Sequence, residues 1–218
     1  MPSGPRQGRP LVSPRLESLR KGAFLCTTHF SFKMSQSVIG LYSSVPQSGK
    51  STIADCLAVR GFFASVSFAS PIKQLVIELL IGLGYERHDA RALARVHKER
   101  VIPELGVSSR YLQQKLATEY GRNMVHPDIW IMCAEATIRK LLSQGHSVVI
   151  DDVRFENEAE LIKRLGGELW MVKRPSAICE ARHESDGRLD DWDGFDRTII
   201  NDGSIEDLHR LIIKTIGC

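Results

Sequence analysis

The sequence predicts an α/β fold, a mostly parallel five-stranded sheet between two layers of helices. Three observations lead there. Strand-like and helix-like segments alternate from residue 37 to the C-terminus. The strand segments are near-continuous apolar runs, the pattern of strands buried on both faces. A chain of 218 residues with 43% hydrophobic content can bury one good core.

Taken in order, "SVIGLYS" (37–43) reads as the first strand and "KSTIADCLAVRG" (50–61) as a helix closed by glycine. "FFASVSFA" (62–69) offers the second strand. "SPIKQLVIELLIGLG" (70–84) starts like a helix, with Ser70 as N-cap and Pro71 at the first helical position. The stretch 85–109 is polar and basic. Its Arg87, Arg91 and Arg95 recur four apart, which fits a solvated helix face or a mobile flap closing on an anionic substrate. Residues 108–122 and 127–145 read as amphipathic helices, the second with Pro127 at its start and Gly145 at its end. "SVVIDDV" (147–153) is an apolar strand ending in two aspartates. A helix over 155–167, strands over 168–175 and 196–202, and a helix over 204–216 complete the chain. In parallel sheets ligands bind beyond the carboxyl ends of the strands.

The turn after the first strand, "YSSVPQSGKST" (42–52), nearly matches the phosphate-binding pattern G-x-x-x-x-G-K-[ST], with Ser44 in place of the first glycine. Such a loop aims backbone N–H groups and the positive end of a helix at an anion. The donors would come from Gln47, Ser48, Gly49, Lys50 and Ser51, with Thr52 next to them; Pro46 has no N–H to give. Lys50 would reach the outer phosphates and the Ser51 hydroxyl would ligate Mg²⁺. Ser44 stands at the strand exit, where glycine eases the turn but donates nothing that serine lacks.

"VVIDD" (148–152) supplies the second half of a nucleotide site: Asp151 or Asp152 would hold Mg²⁺ directly or through water. Arg154 and Arg174 follow strand ends on the same rim, and a guanidinium fork matches phosphate oxygens. For Arg174 a surface salt bridge is an equal reading. His183, in "ARHESD", is structural or part of a lid. No Cys–His or Ser–His pair of recognisable spacing appears, and phosphoryl transfer needs none, because positioning and charge stabilisation do most of the work. An acceptor that is already a phosphate is ionised at neutral pH and needs no strong base.

Charge is unevenly spread. Residues 1–33 hold Arg6, Arg9, Arg15, Arg20, Lys21 and Lys33 against Glu17 alone, a balance of +5 within a whole-chain net of +3, so the remainder stands at −2. A mildly acidic body argues against a protein that coats nucleic acid. The basic segment is rich in Ser, Pro and Gly, the composition of a disordered tail, and its Arg-rich make-up also permits a transit peptide. The domain is therefore expected over 34–218, with Met34 a plausible beginning. No apolar run reaches the length of a membrane span. The five cysteines (26, 56, 133, 179, 218) lack paired spacing, which suits a reducing cytosol and indicates neither zinc nor disulfides.

"RYLQQKLATEYGR" (110–122), "DIW" (128–130), "DDVRFENEAELIKRLGG" (151–167) and "NDGSIEDL" (201–208) resemble the bacteriophage deoxynucleoside monophosphate kinases, over a span from about residue 37 to the C-terminus. The resemblance implies a three-layer α/β/α P-loop NTPase fold with helical substrate and lid insertions, the acceptor-binding region lying at about 70–130. It implies transfer of the γ-phosphate of ATP to a deoxynucleoside 5′-monophosphate, with ATP and Mg²⁺ required, in the cytoplasm, which is the host's if the gene is a phage's. Lys50, Asp152 and Arg154 would be catalytic; Ser51, Asp151 and Asp152 would serve the metal; Arg174 would join the loop in binding ATP. Lys73, Arg110, Gln114, Thr118, Glu119, Arg122, Asp128, Trp130, Arg154, Asn157 and Glu158 would line the acceptor side. The implied partners are the monophosphate and ATP, without nucleic acid or membrane, and a homodimer is left open. The chain departs from the pattern at Ser44, at Ala117 where glycine is usual, and at Tyr120 where tryptophan is usual. Competing readings are a P-loop kinase of another small acceptor, such as a coenzyme precursor, and a nucleotide-binding regulator without turnover, suggested by Ser44.

Overall fold

The computed structural model describes residues 36–59, 63–176 and 188–217. The basic tail and His183 therefore lie outside the described residues.

The central sheet has strands β1 (Val38–Tyr42), β2 (Phe63–Val66), β5 (Ser147–Ile150), β6 (Glu168–Lys173) and β7 (Arg197–Ile200), in the order β2-β5-β1-β6-β7. All four pairings are parallel, so the sheet is wholly rather than mostly parallel. Every residue of β1 and β5 is buried, as their continuous apolar runs require. Helices α1 (Lys50–Val59) and α7 (Ile205–Thr215) pack together on the sheet, and α5 (Ile129–Ser143) packs with α6 (Glu156–Arg164). Val38, Tyr42, Val148, Ile150 and Leu169 meet Ile131, Ala134, Ile138, Leu161 and Ile162 in the main core. The alternate strand residues Ile39, Leu41 and Val149 are buried as well, so both faces are covered and the layering is α/β/α.

Between β2 and β5 the chain builds a separate module. Helix α2 (Ser70–Gly82) and helix α3 (Arg87–Arg95) lead into an antiparallel hairpin of β3 (Val101–Ile102) and β4 (Val107–Ser108). Helix α4 (Ser109–Lys115) follows and continues as a π-helical segment, Leu116–Val125. Val76, Ile77, Leu80, Ala90, Leu93, Ala94 and Ile102 form this module's own core.

Three details depart from the sequence reading. The N-cap of α2 is Ala69, without a side-chain cap; Ser70 is already helical, because Asp152 satisfies the turn's free N–H groups from outside the helix. The stretch 85–109 contains a hairpin that its polar composition hid. The helix expected over 108–122 switches from α to π at Leu116. That widening lets Gly121 lie against Trp130, where a Cβ would come within 2.3 Å of the indole. The Trp130 indole N–H donates to the Ala117 carbonyl at 2.8 Å.

Candidate nucleotide and acceptor site

All five parallel strands deliver a functional segment at their carboxyl ends. From the central β1 the chain enters the phosphate loop. Gln47 (φ 54°) and Gly49 (φ 105°) take the left-handed conformation, and Gln47 is the only non-glycine to do so among the described residues. Ser44 does not, so the backbone makes no demand for glycine there. A Cβ at Gly49 would meet Asn201 Nδ2 at 2.6 Å. That closeness has a hydrogen bond behind it: Asn201, following β7, donates from Nδ2 to the Ser48 carbonyl at 2.8 Å. Arg174, following β6, donates from Nη1 to the Gln47 carbonyl at 3.0 Å. Two of the loop's carbonyls are thus pinned by side chains from neighbouring strand ends. Ser48 is 1% exposed, and its Oγ has no hydrogen-bond partner among the described residues. Lys50 Nζ lies 3.5 Å from the Ser43 carbonyl, folded back across the loop. A hollow of about 360 Å³ is lined by Gln47, Ser48, Gly49, Lys50, Ser51, Thr52 and Arg174, together with Asn201.

The two aspartates after β5 divide. Ser51 Oγ donates to Asp151 Oδ2 at 2.9 Å, which places that carboxylate at the loop. Asp152 faces β2 instead: it accepts from Ser67 Oγ at 2.6 Å, Phe68 N at 3.0 Å and Ala69 N at 3.1 Å. Burial pushes the Asp152 carboxyl above its usual range, against the pull of those donors. Its geometry is that of a strut between β5 and the start of α2.

Beyond Asp152 opens a cavity of about 930 Å³. It gathers Gln114, Thr118, Arg122, Trp130, Arg154, Asn157 and Glu158 of the expected acceptor residues. Glu158, 3% exposed, accepts from Arg122 Nη2 at 3.1 Å and from the backbone N–H groups of Arg154 (2.8 Å) and Phe155 (3.2 Å). It caps α6 from inside the helix and anchors a cavity arginine at once. Burial raises its pKa to about 7, with the nearby Asp152 charge adding to the rise and Arg122 and the two N–H groups opposing it. Asn157 Nδ2 donates to Asp128 Oδ1 at 2.8 Å, so Asp128 orients a lining residue without lining the cavity itself. The other expected residues sit apart from the lining. Arg110 pairs with Glu99, Glu119 with Lys115, and Lys73 lies on α2 beside the lining residue Ile72.

Sequence reasoning missed three contributors. Asn201 sat within a quoted motif but was given no role. Phe155 carries the guanidinium of Arg122 at 4.3 Å and that of Arg188 at 5.4 Å from its ring centre. Arg188 lines the cavity and follows a stretch with no periodic signal. Of the α3 arginines, Arg87 donates to Glu78 at 3.1 Å, and Arg91 and Arg95 are exposed, so the solvated-face reading fits this helix.

A phosphate loop on the middle strand, an acid on the neighbouring strand and a large cavity bearing three arginines alongside are the layout of a P-loop kinase. The family model for deoxynucleotide monophosphate kinase matches residues 86–212. A protein of Acanthamoeba polyphaga mimivirus named as a deoxynucleotide monophosphate kinase is 30% identical over 178 residues, covering 78% of this chain and 91% of its own. The deoxynucleoside-5′-monophosphate kinase of Escherichia phage T5 is 40% identical over 67 residues, 31% of this chain and 26% of its own. The chain belongs to the deoxynucleotide monophosphate kinase family and is a phosphotransferase of that kind. Among solved structures, the dephospho-CoA kinase from Campylobacter jejuni is 17% identical with a TM-score of 0.48, covering 84% of this chain and 97% of that one. Among the described residues no helix is long and apolar enough to cross a membrane.

Proposed function

We propose that the protein moves the γ-phosphoryl group of ATP onto the 5′-phosphate of a deoxynucleoside monophosphate, giving ADP and the deoxynucleoside diphosphate. The observation that carries this reading is the aspartate pair: Asp151 bonds the loop serine Ser51 while its neighbour Asp152 lines the large cavity, so two anion sites share one wall.

The loop is suited to a triphosphate. Two of its carbonyls are tied back by Arg174 and Asn201, the buried Ser48 Oγ has no partner among the described residues, and Lys50 lines the same hollow. Ser51 and Asp151, already 2.9 Å apart, are an all-oxygen pair suited to Mg²⁺. When bound, that ion would neutralise charge on the triphosphate oxygens. Asp152, engaged by three donors of the β2–α2 turn, serves better as a strut than as a ligand.

In the cavity, Arg122 and Arg154 would hold the acceptor phosphate and Trp130 and Phe155 the apolar wall. One bond forms, between an acceptor phosphate oxygen and the γ-phosphorus; one breaks, between that phosphorus and the β–γ bridging oxygen, whose electron pair leaves with ADP. The acceptor oxygen is ionised at neutral pH, so no base is asked of the protein. Lys50 and Arg154 would meet the charge that develops during transfer. A cytoplasmic location, that of the host if the gene is a phage's, suits a reaction that draws on ATP and nucleotides.

ADP release measured with each deoxynucleoside monophosphate, each ribonucleoside monophosphate and dephospho-CoA in turn tests the reading. It predicts release that depends on a deoxynucleoside monophosphate and on Mg²⁺. Release with dephospho-CoA alone would transfer the assignment to a coenzyme-precursor kinase, and ATP binding without any release would make the protein a regulator.

A further inference from the structure

Gln114, Thr118 and Arg122 recur four apart, and all three line the acceptor cavity. In a continuous α-helix of about 3.6 residues per turn, two such steps would carry Arg122 about 80° round from Gln114. Here the helix changes from α to π at Leu116, within the first step. A π-turn holds about 4.4 residues, so a step of four falls short of a turn where an α step overshoots it. The two drifts largely cancel, which keeps Arg122 on the cavity side. The widened turn rests on α5. The Gly121 carbonyl accepts the His126 N–H, five residues on, at 2.9 Å, and the chain then enters α5. Trp130, buried in the first turn of α5, donates its indole N–H to the Ala117 carbonyl at 2.8 Å. Arg122, next to Gly121, donates from Nη2 to Glu158 at 3.1 Å and lies 4.3 Å over the Phe155 ring.

Gly121 is not among the glycines with positive φ, so its backbone conformation does not call for glycine. The indole does. A Cβ at position 121 would stand 2.3 Å from Trp130 Cζ2, about 1 Å inside ordinary carbon contact. The ring is buried and hydrogen-bonded, so the turn is the part that must give. We propose that Gly121 is a positioning residue for the acceptor: its bare Cα seats the π-turn on Trp130 and so aims Thr118 and Arg122 at the bound monophosphate. This rests on the kinase reading above and adds a residue that touches no substrate itself. A shift of about 1 Å at groups that hold a substrate can cost about a hundredfold in rate, so a single methyl group here should be felt in the acceptor site. The phosphate loop, on the other side of the Asp151–Asp152 wall, should not feel it.

Steady-state kinetics of the full chain with ATP and each of dAMP, dGMP, dCMP and dTMP test this in the wild type, Gly121→Ala, Arg122→Lys and the double variant. Gly121→Ala should raise KM for the monophosphate about tenfold or more, while KM for ATP changes less than about threefold. In the Arg122→Lys background, where the guanidinium fork is already lost, the same change should add less than about twofold, because the two residues act as a unit. Should Gly121→Ala fail to fold, Trp130→Phe, which drops the N–H held by Ala117, takes its place in the same cycle with the same expected pattern. An unchanged KM for the monophosphate overturns the role of Gly121 and leaves the kinase reading intact. So does an equal rise in both KM values, which marks a glycine needed only for packing, and so do additive effects with Arg122→Lys. A wild type that turns over none of the four monophosphates overturns both.

Discussion

The phosphate loop and the acceptor cavity are neighbours built on opposite principles. The loop is one segment, residues 43–51, and its shape depends on backbone: Gln47 and Gly49 in the left-handed region, with carbonyls pinned by Arg174 and Asn201. The cavity is assembled from side chains on α2, α4, the π-helical segment, α5, α6 and the 188–195 stretch, and most of its polar members are charged. A backbone cradle has a fixed dipole and little to titrate. A cradle of buried ions depends on each partner being present, because removing one leaves the other desolvated and unpaired. Substitutions should therefore act locally at the loop and spread in the cavity.

The largest expected effect lies at the loop. Lys50→Met should lower kcat/KM by about a thousandfold or more, because a charge placed on the transferring phosphate is lost. Its melting temperature should stay near that of the wild type, since the contact of the Lys50 ammonium with the Ser43 carbonyl is long, at 3.5 Å. Steady-state kinetics and thermal melts together check this. If the protein unfolds instead, the lysine is structural and the contrast fails.

Arg154→Lys probes the cavity side. Lysine keeps the charge but not the planar fork, so kcat/KM should fall about a hundredfold with little change in melting temperature. An equal loss of stability would mean that Arg154 belongs to the packing of the β5–α6 turn.

Glu158 sharpens the comparison through pH. Its folded pKa of about 7 lies above the ordinary value of 4.5. The folded state then keeps a proton that the unfolded chain has released, so this group's contribution is complete below about pH 4.5 and is lost as pH rises through about 7. The difference is roughly 3 kcal/mol at full effect. The stability of the wild type relative to Glu158→Gln should thus decline between pH 5 and pH 7.5 in parallel denaturant titrations. A difference that is flat or grows with pH contradicts the buried, proton-holding carboxyl.

Asn201→Ala is smaller and confined to the loop. It leaves the Ser48 carbonyl without its 2.8 Å donor, at a cost of about 1–3 kcal/mol. KM for ATP should rise with that for the acceptor unchanged. Smallest of all, a chain starting at Met34 should match the full chain in melting temperature and turnover; a clear loss of either would move the domain boundary.

The same contrast decides how much was legible in the sequence. The loop could be read because its chemistry is compressed into consecutive residues, and the sheet because β1, β5 and the middle of β6 are near-continuous apolar runs. Asn201 escaped because its partner is 153 positions away. The roles of Asp151 and Asp152 could not be separated, since only the paths of β2 and α1 decide which carboxylate meets Ser67 and which meets Ser51. The π-helical segment left no mark because α and π turns differ little in apolar spacing. The cavity residues were recognised through family resemblance, not spacing: Arg122 and Glu158 are 36 positions apart and meet only when α6 folds back beside the π-helical segment.

Tracing the terminal phosphate tests the central claim most directly. ATP labelled at its γ-phosphorus is incubated with the protein, Mg²⁺ and a deoxynucleoside monophosphate, and the products are separated. Label appearing in the deoxynucleoside diphosphate, at a rate abolished by Lys50→Met and strongly reduced by Arg154→Lys, is the result predicted. Label appearing as inorganic phosphate, or in the diphosphate at equal rates in all three proteins, would contradict the joint working of loop and cavity.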